Sequence, residues 1–75
     1  MTNNNILNTI ASYAQLNVED FSDINFTLDG DFCEVLFNCQ LMHYHCYVDV
    51  TSGEVAGFLF EPVAQVTALG SNYAA

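Results

Sequence analysis

Carboxylates are the side chains of this sequence whose number and spacing most suggest chemistry. The chain of 75 residues contains nine Asp and Glu but no Lys or Arg, so its formal net charge is −9. Two thirds of these acids lie in one short stretch, and they are Glu19, Asp20, Asp23, Asp29, Asp31 and Glu34. No acid can form an ordinary salt bridge within the monomer, because His43, His45 and the N-terminal amine are the only cations available.

This charge pattern excludes several functions. Direct binding to nucleic acid and docking onto an anionic membrane both require cations to neutralise phosphates. A catalytic Lys or an arginine clamp is excluded as well. The carboxylates favour a basic protein partner instead, since complementary charge speeds association and selects a cationic groove. Enzymes that handle nucleic acids hold their substrate in such grooves.

A solubilising role is the alternative interpretation of the acids. A charged surface keeps a domain that is 52% apolar in solution without any specific partner. A surface tuned for solubility normally mixes both signs of charge, so the complete lack of Lys and Arg favours a basic partner. Spread evenly, nine charges would be several times sparser than those of DNA, so imitation of DNA requires the acids to gather on one face.

The residues predicted to bind the partner include most of the acids and one aromatic side chain. Tyr47 or Phe32 would supply binding energy as an exposed aromatic anchor. The predicted partner-binding residues are Glu19, Asp20, Asp23, Asp29, Asp31, Glu34, Tyr47 and Asp49.

Two histidines offer a metal-binding alternative. His43 and His45 are two residues apart on a predicted strand, so both rings face the same side, with Asp49 on that side and Glu34 a candidate from the next strand. Such a face could bind zinc. A pair spaced like this is common by chance, and Cys46 points the other way. We therefore interpret the histidines as surface groups that partly balance local acid, and we predict no cofactor.

The remaining reactive residues indicate structural roles. Cys33, Cys39 and Cys46 form no zinc-finger spacing, and an odd number without a signal peptide favours reduced, buried thiols in a cytoplasm. A disulfide from Cys46 to either of the others, or a redox role, is the alternative. The segment 29–31 lacks the length of a calcium loop and is typical of a turn. No nucleophile elbow, phosphate loop or dinucleotide motif is present, so we do not expect an enzyme.

The elements that must position these residues follow from hydrophobic periodicity. Apolar residues at steps of three and four predict an amphipathic helix from about Asn5 to Leu16, with Asn17 in the left-handed position after it. Alternating runs predict strands over 24–28, 32–40, 41–50 and 54–60. Glu61-Pro62 is typical of a helix start, which would give a short C-terminal helix ending before Gly70.

This order predicts a single α+β domain over residues 1–75, with the N-terminal helix packed on a four-stranded antiparallel meander. One helix can cover only one face of the sheet. The apolar residues of 32–36 and 55–59 on the other face would then have no cover, and a homodimer through that face would bury them.

The stretch Tyr47-Val48-Asp49-Val50-Thr51-Ser52-Gly53-Glu54-Val55 resembles the hairpin of PepSY-type domains. In that family a leading helix is followed by an alternating strand that runs into a similar turn. The resemblance implies a small α+β binding module. PepSY domains are typically exported, whereas this sequence shows no export signal, and no site residue is carried over from the family.

By size and charge the chain also resembles the small acidic phage proteins that block host defence, among them anti-CRISPR and anti-restriction inhibitors, some of which imitate DNA. That resemblance implies a viral inhibitor acting in the host cytoplasm on a nucleic-acid-handling complex. We therefore predict a non-enzymatic interaction protein whose acidic surface binds a basic site. A PepSY-like module or a homodimeric structural protein with a merely solubilising surface is the alternative.

Overall fold

The computed structural model describes residues 1–63. It contains one helix, a short 3-10 turn over Val18–Asp20 and four strands. The elements are α1 (Asn3–Ala14), β1 (Ser22–Asp29), β2 (Phe32–Cys39), β3 (Met42–Asp49) and β4 (Glu54–Pro62). The predicted α+β architecture, a helix on a four-stranded antiparallel sheet, is confirmed.

Local capping sets the limits of α1. The hydroxyl of Thr2 accepts a hydrogen bond from the amide of Asn5 at 3.1 Å, so the helix begins two residues earlier than predicted. Gln15, with φ of 59°, takes the left-handed position that ends the helix. The prediction of Asn17 for this position was wrong, since Asn17 is extended and precedes the 3-10 turn.

The four strands form a meander in the order β1-β2-β3-β4, and each neighbouring pair is antiparallel. One face of the sheet carries the core against α1, which packs mainly over β3 and β4. The buried side chains that α1 contributes are Ile6, Leu7, Ile10 and Ala11, and those of the sheet are Cys33, Val35, Phe37, Cys39, Cys46 and Val48.

Short turns join the strands. Gly30 and Asp31 connect β1 to β2, and the positive φ of Gly30 (63°) suits the first position of a two-residue hairpin loop. Gln40 and Leu41 connect β2 to β3 with φ of 52° and 68°. The prediction that Leu41 starts a strand was wrong. No Gly or Asn marks this turn, which is why its sequence gave no signal.

The last described strand runs further than predicted. Glu61 and Pro62 pair with His43 and Met42, and the amide of Val63 donates to the carbonyl of Leu41 at 3.0 Å. The prediction that a helix starts at Glu61-Pro62 is therefore wrong, because both residues belong to β4. Pro62 is tolerated there because β4 is an edge strand. The rest of the expected C-terminal helix lies outside the described residues.

A register shift between Tyr47 and Val48 changes which residues of β4 face α1. Val55 lies opposite Val48 on the helix side, whereas the sequence pattern assigned it to the other face. A β-bulge of this kind inserts one extra residue and reverses the alternation.

The helix of residues 1–63 is too short and too polar to cross a membrane.

Candidate functional site

The charged residues are divided unequally between the two layers of the molecule. Residues 1–17, which include α1, contain no Asp or Glu, and their only formal charge is the N-terminal amine. All nine carboxylates lie between Glu19 and Glu61, in the sheet, its turns and the connector that precedes it. The molecule therefore has an uncharged helix layer and an acidic sheet layer.

We call the sheet surface that points away from α1 the open face. Along β2 these residues alternate with the buried ones. On the other strands they are the residues that pair, strand by strand, with these positions of β2. They form four rows, which are Ser22–Asn38–His43–Glu61, Asn25–Leu36–His45–Leu59, Thr27–Glu34–Tyr47–Gly57 and Asp29–Phe32–Asp49–Glu54.

The acids predicted to bind a partner lie in two groups at opposite ends of the sheet. Glu19, Asp20 and Asp23 lie at the end where β1 begins, whereas Asp29 is the last residue of β1 and Asp31 follows it. Asp23 and Asp29 are six residues apart in β1, which is about 20 Å along the strand. Segments 19–23 and 29–31 therefore lie at opposite ends of β1 and do not form one acidic patch.

We call the end of the open face that contains His43 the histidine end. Here the polar side chains are paired with one another. Asn38 donates from its side-chain amide to the Asp23 carboxylate at 3.1 Å, and its amide oxygen lies 2.7 Å from Nδ1 of His43. Gln40 donates to the Asp20 carboxylate at 3.3 Å. These carboxylates therefore already have hydrogen-bond donors within the chain.

Glu34 lies near the middle of the open face and connects two rings. Its Oε2 contacts Nε2 of His45, an ion pair when the imidazole is protonated. The hydroxyl of Tyr47 donates to the same oxygen at 3.5 Å. The rings of His45 and Tyr47 lie 5.0 Å apart. The predicted neighbourhood of His45 and Glu34 on one side of the sheet is thus present, with Tyr47 as its third member.

We call the opposite end of the open face, where the β1–β2 and β3–β4 turns meet, the turn end. The amide of Val50 donates to the carbonyl of Asp31 at 2.9 Å and joins the two turns. Asp49 stabilises the β3–β4 turn, since its Oδ1 accepts hydrogen bonds from the amides of Thr51 at 2.9 Å and Ser52 at 3.2 Å. Such capping by an Asp side chain fixes a turn.

Asp29 and Asp31, like Glu54 beside them, have no such structural role. No side chain or amide of residues 1–63 donates a hydrogen bond to the carboxylates of Asp29 or Asp31. With no Lys or Arg in the sequence, the chain also has no strong cation to offer them. The turn end is therefore the part of the open face whose negative charge is left to solvent or to a partner.

Each end of the open face has a groove. A groove of about 280 Å³ at the histidine end is lined by His43, His45, Leu59, Phe60 and Glu61. A second groove, of about 260 Å³, lies at the turn end and is lined by Asp29, Phe32, Tyr47 and Ala56. The first combines imidazoles with one acid, and the second combines aromatic rings with an acid.

Exposed apolar side chains complete the open face. Phe32 is 41% exposed and Leu59 is 61% exposed, and Leu36 is half-buried in the same row as Leu59. The sequence pattern predicted this uncovered apolar surface for residues 32–36, and the bulge alters it in β4, where Ala56 replaces Val55 on the open face. Glu54 and Glu61, which the sequence did not single out, also lie on this face. Only the strand register reveals them.

A metal site is not formed by the side chains described. Within residues 1–63 no three His, Cys, Asp or Glu groups converge closely enough to hold an ion. His43 and His45 have Asn38 and Glu34 as partners instead. Of the two histidines, His45 contacts an acid, as the balancing interpretation expects, whereas His43 contacts the uncharged side chain of Asn38.

The three cysteines lie on the other side of the sheet, buried under α1, and all are free thiols. Burial raises the pKa of Cys33, although a hydrogen bond to the backbone of Thr27 partly opposes the shift. Burial, with a smaller contribution from Asp20, raises the pKa of Cys39. Burial raises the pKa of Cys46 to about 12. Thiols that stay protonated and covered are poor nucleophiles and poor metal ligands.

No protein-family model, curated protein or solved structure matches the chain. The likeness of residues 47–55 to a PepSY hairpin and the likeness of the whole chain to acidic phage inhibitors therefore stay predictions from the sequence. What the protein does must be inferred from the charges, rings and contacts of its open face.

Proposed function

We propose that the protein is a non-enzymatic binding protein whose open face, with the acids at its two ends, occupies a basic nucleic-acid-binding site on a partner protein. The observation that carries the proposal is the division of charge between the layers, since every carboxylate lies from Glu19 onward and α1 has none. A surface made acidic for solubility alone would have no reason to leave one whole layer neutral.

The open face also has the composition expected of an interface. Protein interfaces are enriched in aromatic side chains, and a few such anchors supply most of the binding energy. Phe32 and Tyr47 are exposed in the midst of the carboxylates. Acids would thus guide the encounter with a basic groove, and the rings would hold the complex together.

A homodimer through the same face is the second candidate, favoured by the exposure of Phe32 and Leu59. Pairing two copies would bring like-charged acids together with no Lys or Arg to offset them. Like charges that face each other across an interface cost on the order of several kcal/mol of binding free energy. A basic partner therefore suits this face better than a second copy. A small binding module similar to PepSY domains is the other alternative to the proposed function.

The proposal is tested by capture followed by competition. The protein is immobilised, a bacterial lysate is passed over it, and bound proteins are released with duplex DNA. We expect the captured protein to bind DNA on its own, and excess duplex DNA to release it, because both ligands would use one site. Raising the salt concentration should weaken capture steeply, as charge attraction is screened.

A matched pair of variants completes the test. Changing Asp20, Asp23, Asp29 and Asp31 to Asn removes charge with little change in shape, and should abolish most of the capture. Asn8→Gln with Ser12→Ala alters exposed positions of α1 and should leave capture intact. A captured protein that holds DNA and this chain together, or that binds the Asn variant equally well, would refute the proposal.

A further inference from the structure

We propose that the groove at the turn end binds an arginine side chain of the partner. This inference rests on the proposed function and names the chemistry of the contact. The groove, of about 260 Å³, is lined by Asp29, Phe32, Tyr47 and Ala56. It therefore presents a carboxylate, two aromatic rings and a small residue that leaves room between them.

The strand register surrounds Phe32 with negative charge. Asp29 lies directly opposite Phe32 on one neighbouring strand, and Asp49 lies directly opposite it on the other. Residues paired in this way have Cβ atoms about 5 Å apart. A cation over the Phe32 ring would thus lie between two carboxylates, and Asp29 has no donor of its own within residues 1–63.

The ring of Tyr47 is held in place before any partner arrives. A Cβ atom at Gly57 would lie 3.0 Å from Cδ2 of Tyr47, so the ring occupies the space above a residue that has no side chain. The ring also lies 5.0 Å from the His45 ring, and its hydroxyl donates to Glu34 at 3.5 Å. A ring fixed in this way binds with a smaller loss of conformational entropy.

Arginine matches this arrangement better than lysine. The guanidinium is planar, stacks on aromatic faces and donates two parallel hydrogen bonds to a carboxylate. An ammonium group is a point charge that satisfies the carboxylates but gains less from the rings. The groove at the histidine end has a single phenyl ring, Phe60, beside two imidazoles and Glu61, so it lacks the pair of rings found at the turn end.

Titration with two peptides of equal length, oligo-arginine and oligo-lysine, tests the inference by NMR on the isotope-labelled protein at low salt. We expect oligo-arginine to bind about two- to fivefold more tightly. Its largest shifts should fall on the amides around Asp29, Phe32 and Tyr47. Tyr47→Leu should lower the oligo-arginine affinity to the oligo-lysine value, whereas Tyr13→Leu, which removes an exposed ring from α1, should change neither.

A second variant keeps the test decisive if Tyr47→Leu disturbs the sheet. Asp29→Asn is an exposed, isosteric change and should weaken both peptides while the spectrum otherwise stays unchanged. Equal affinities for the two peptides, or shifts spread over every carboxylate, would overturn the arginine site and leave the proposal of a basic partner standing. Failure of DNA to compete in the capture experiment would instead remove the proposed function itself.

Discussion

The buried thiol of Cys46 makes folding sensitive to alkaline pH. Its pKa is raised by burial from an ordinary value of 9.0 to about 12. Above about pH 9 the unfolded chain therefore ionises this thiol while the folded chain keeps it protonated. The folded state binds more protons in that window, so its stability must fall as pH rises from about 9 toward about 12.

We predict that urea unfolding measured from pH 8 upward shows this fall, and that Cys46→Ala reduces its slope. The variant is less stable at neutral pH because it leaves a cavity, so the comparison is between slopes and not between absolute free energies. Tyr44, Cys33 and Cys39 have raised pKa values through burial as well and account for the remaining slope. An unchanged slope in Cys46→Ala would contradict this explanation.

The acids of the turn end differ from one another in what they do for the fold. Asp49 accepts hydrogen bonds from two turn amides, whereas Asp29 accepts none within residues 1–63. We predict that Asp49→Ala lowers the free energy of unfolding by about 1 kcal/mol, the usual cost of losing such a cap. Asp49→Asn keeps the accepting oxygen and should cost much less.

Asp29→Ala is the control for that experiment, and thermal or urea unfolding monitored by circular dichroism gives the comparison. Little loss is expected for it, since its carboxylate accepts no hydrogen bond within residues 1–63. If Asp29→Ala and Asp49→Ala were equally destabilising, the separation of a structural from a binding carboxylate at the turn end would be wrong.

At the scale of elements, the turn between β2 and β3 is strained. Gln40 and Leu41 both adopt positive φ values, 52° and 68°, which residues with a bulky side chain rarely take. The side chain of Leu41 is 73% exposed and so gains little from packing. We predict that Leu41→Gly raises the free energy of unfolding by about 1 kcal/mol.

Leu41→Val provides the opposite change at the same position. A β-branched residue is poorly tolerated at positive φ, so it should lower stability. Urea midpoints for the two variants and the parent chain make the test. A Gly variant less stable than the parent would mean that Leu41 contributes through a contact and not through strain.

The elements themselves were largely predictable because their signals are local. Alternating runs predicted all four strands and steps of three and four predicted α1, since each pattern reflects one buried face. The errors occurred where the residue types do not indicate the backbone conformation that the chain adopts. These were the end of α1 at Gln15, the turn at Gln40 and Leu41, the bulge that turns Val55 toward α1, and the continuation of β4 through Pro62.

At the scale of the whole molecule, the candidate site was predictable only in part. The basic partner stays a prediction from composition, whereas strand parity correctly placed Tyr47, His45 and Asp49 on one side. The sequence could not show that β1 separates the acids into two groups, because distance between loops depends on topology. Nor could it show that side-chain amides bind Asp20 and Asp23, whereas no group of residues 1–63 donates to the carboxylates of Asp29 and Asp31.

The division between an uncharged helix layer and an acidic sheet layer gives the molecule two distinguishable sides. Each side has exposed rings, since Tyr13 on α1 is 59% exposed and Phe32 and Tyr47 on the open face are 41% and 36% exposed. These rings report solvent access independently. A partner that covers one side must protect its rings and leave the others unchanged.

Hydroxyl-radical footprinting of the complex with the captured partner, read by mass spectrometry, makes that distinction. If the open face is the binding surface, oxidation of Phe32 and Tyr47 should fall on complex formation, while oxidation of Tyr13 stays at the level of the free protein. Protection of Tyr13 with undiminished oxidation of Phe32 and Tyr47 would show that the neutral helix layer holds the partner, and the proposed role of the carboxylates would be wrong.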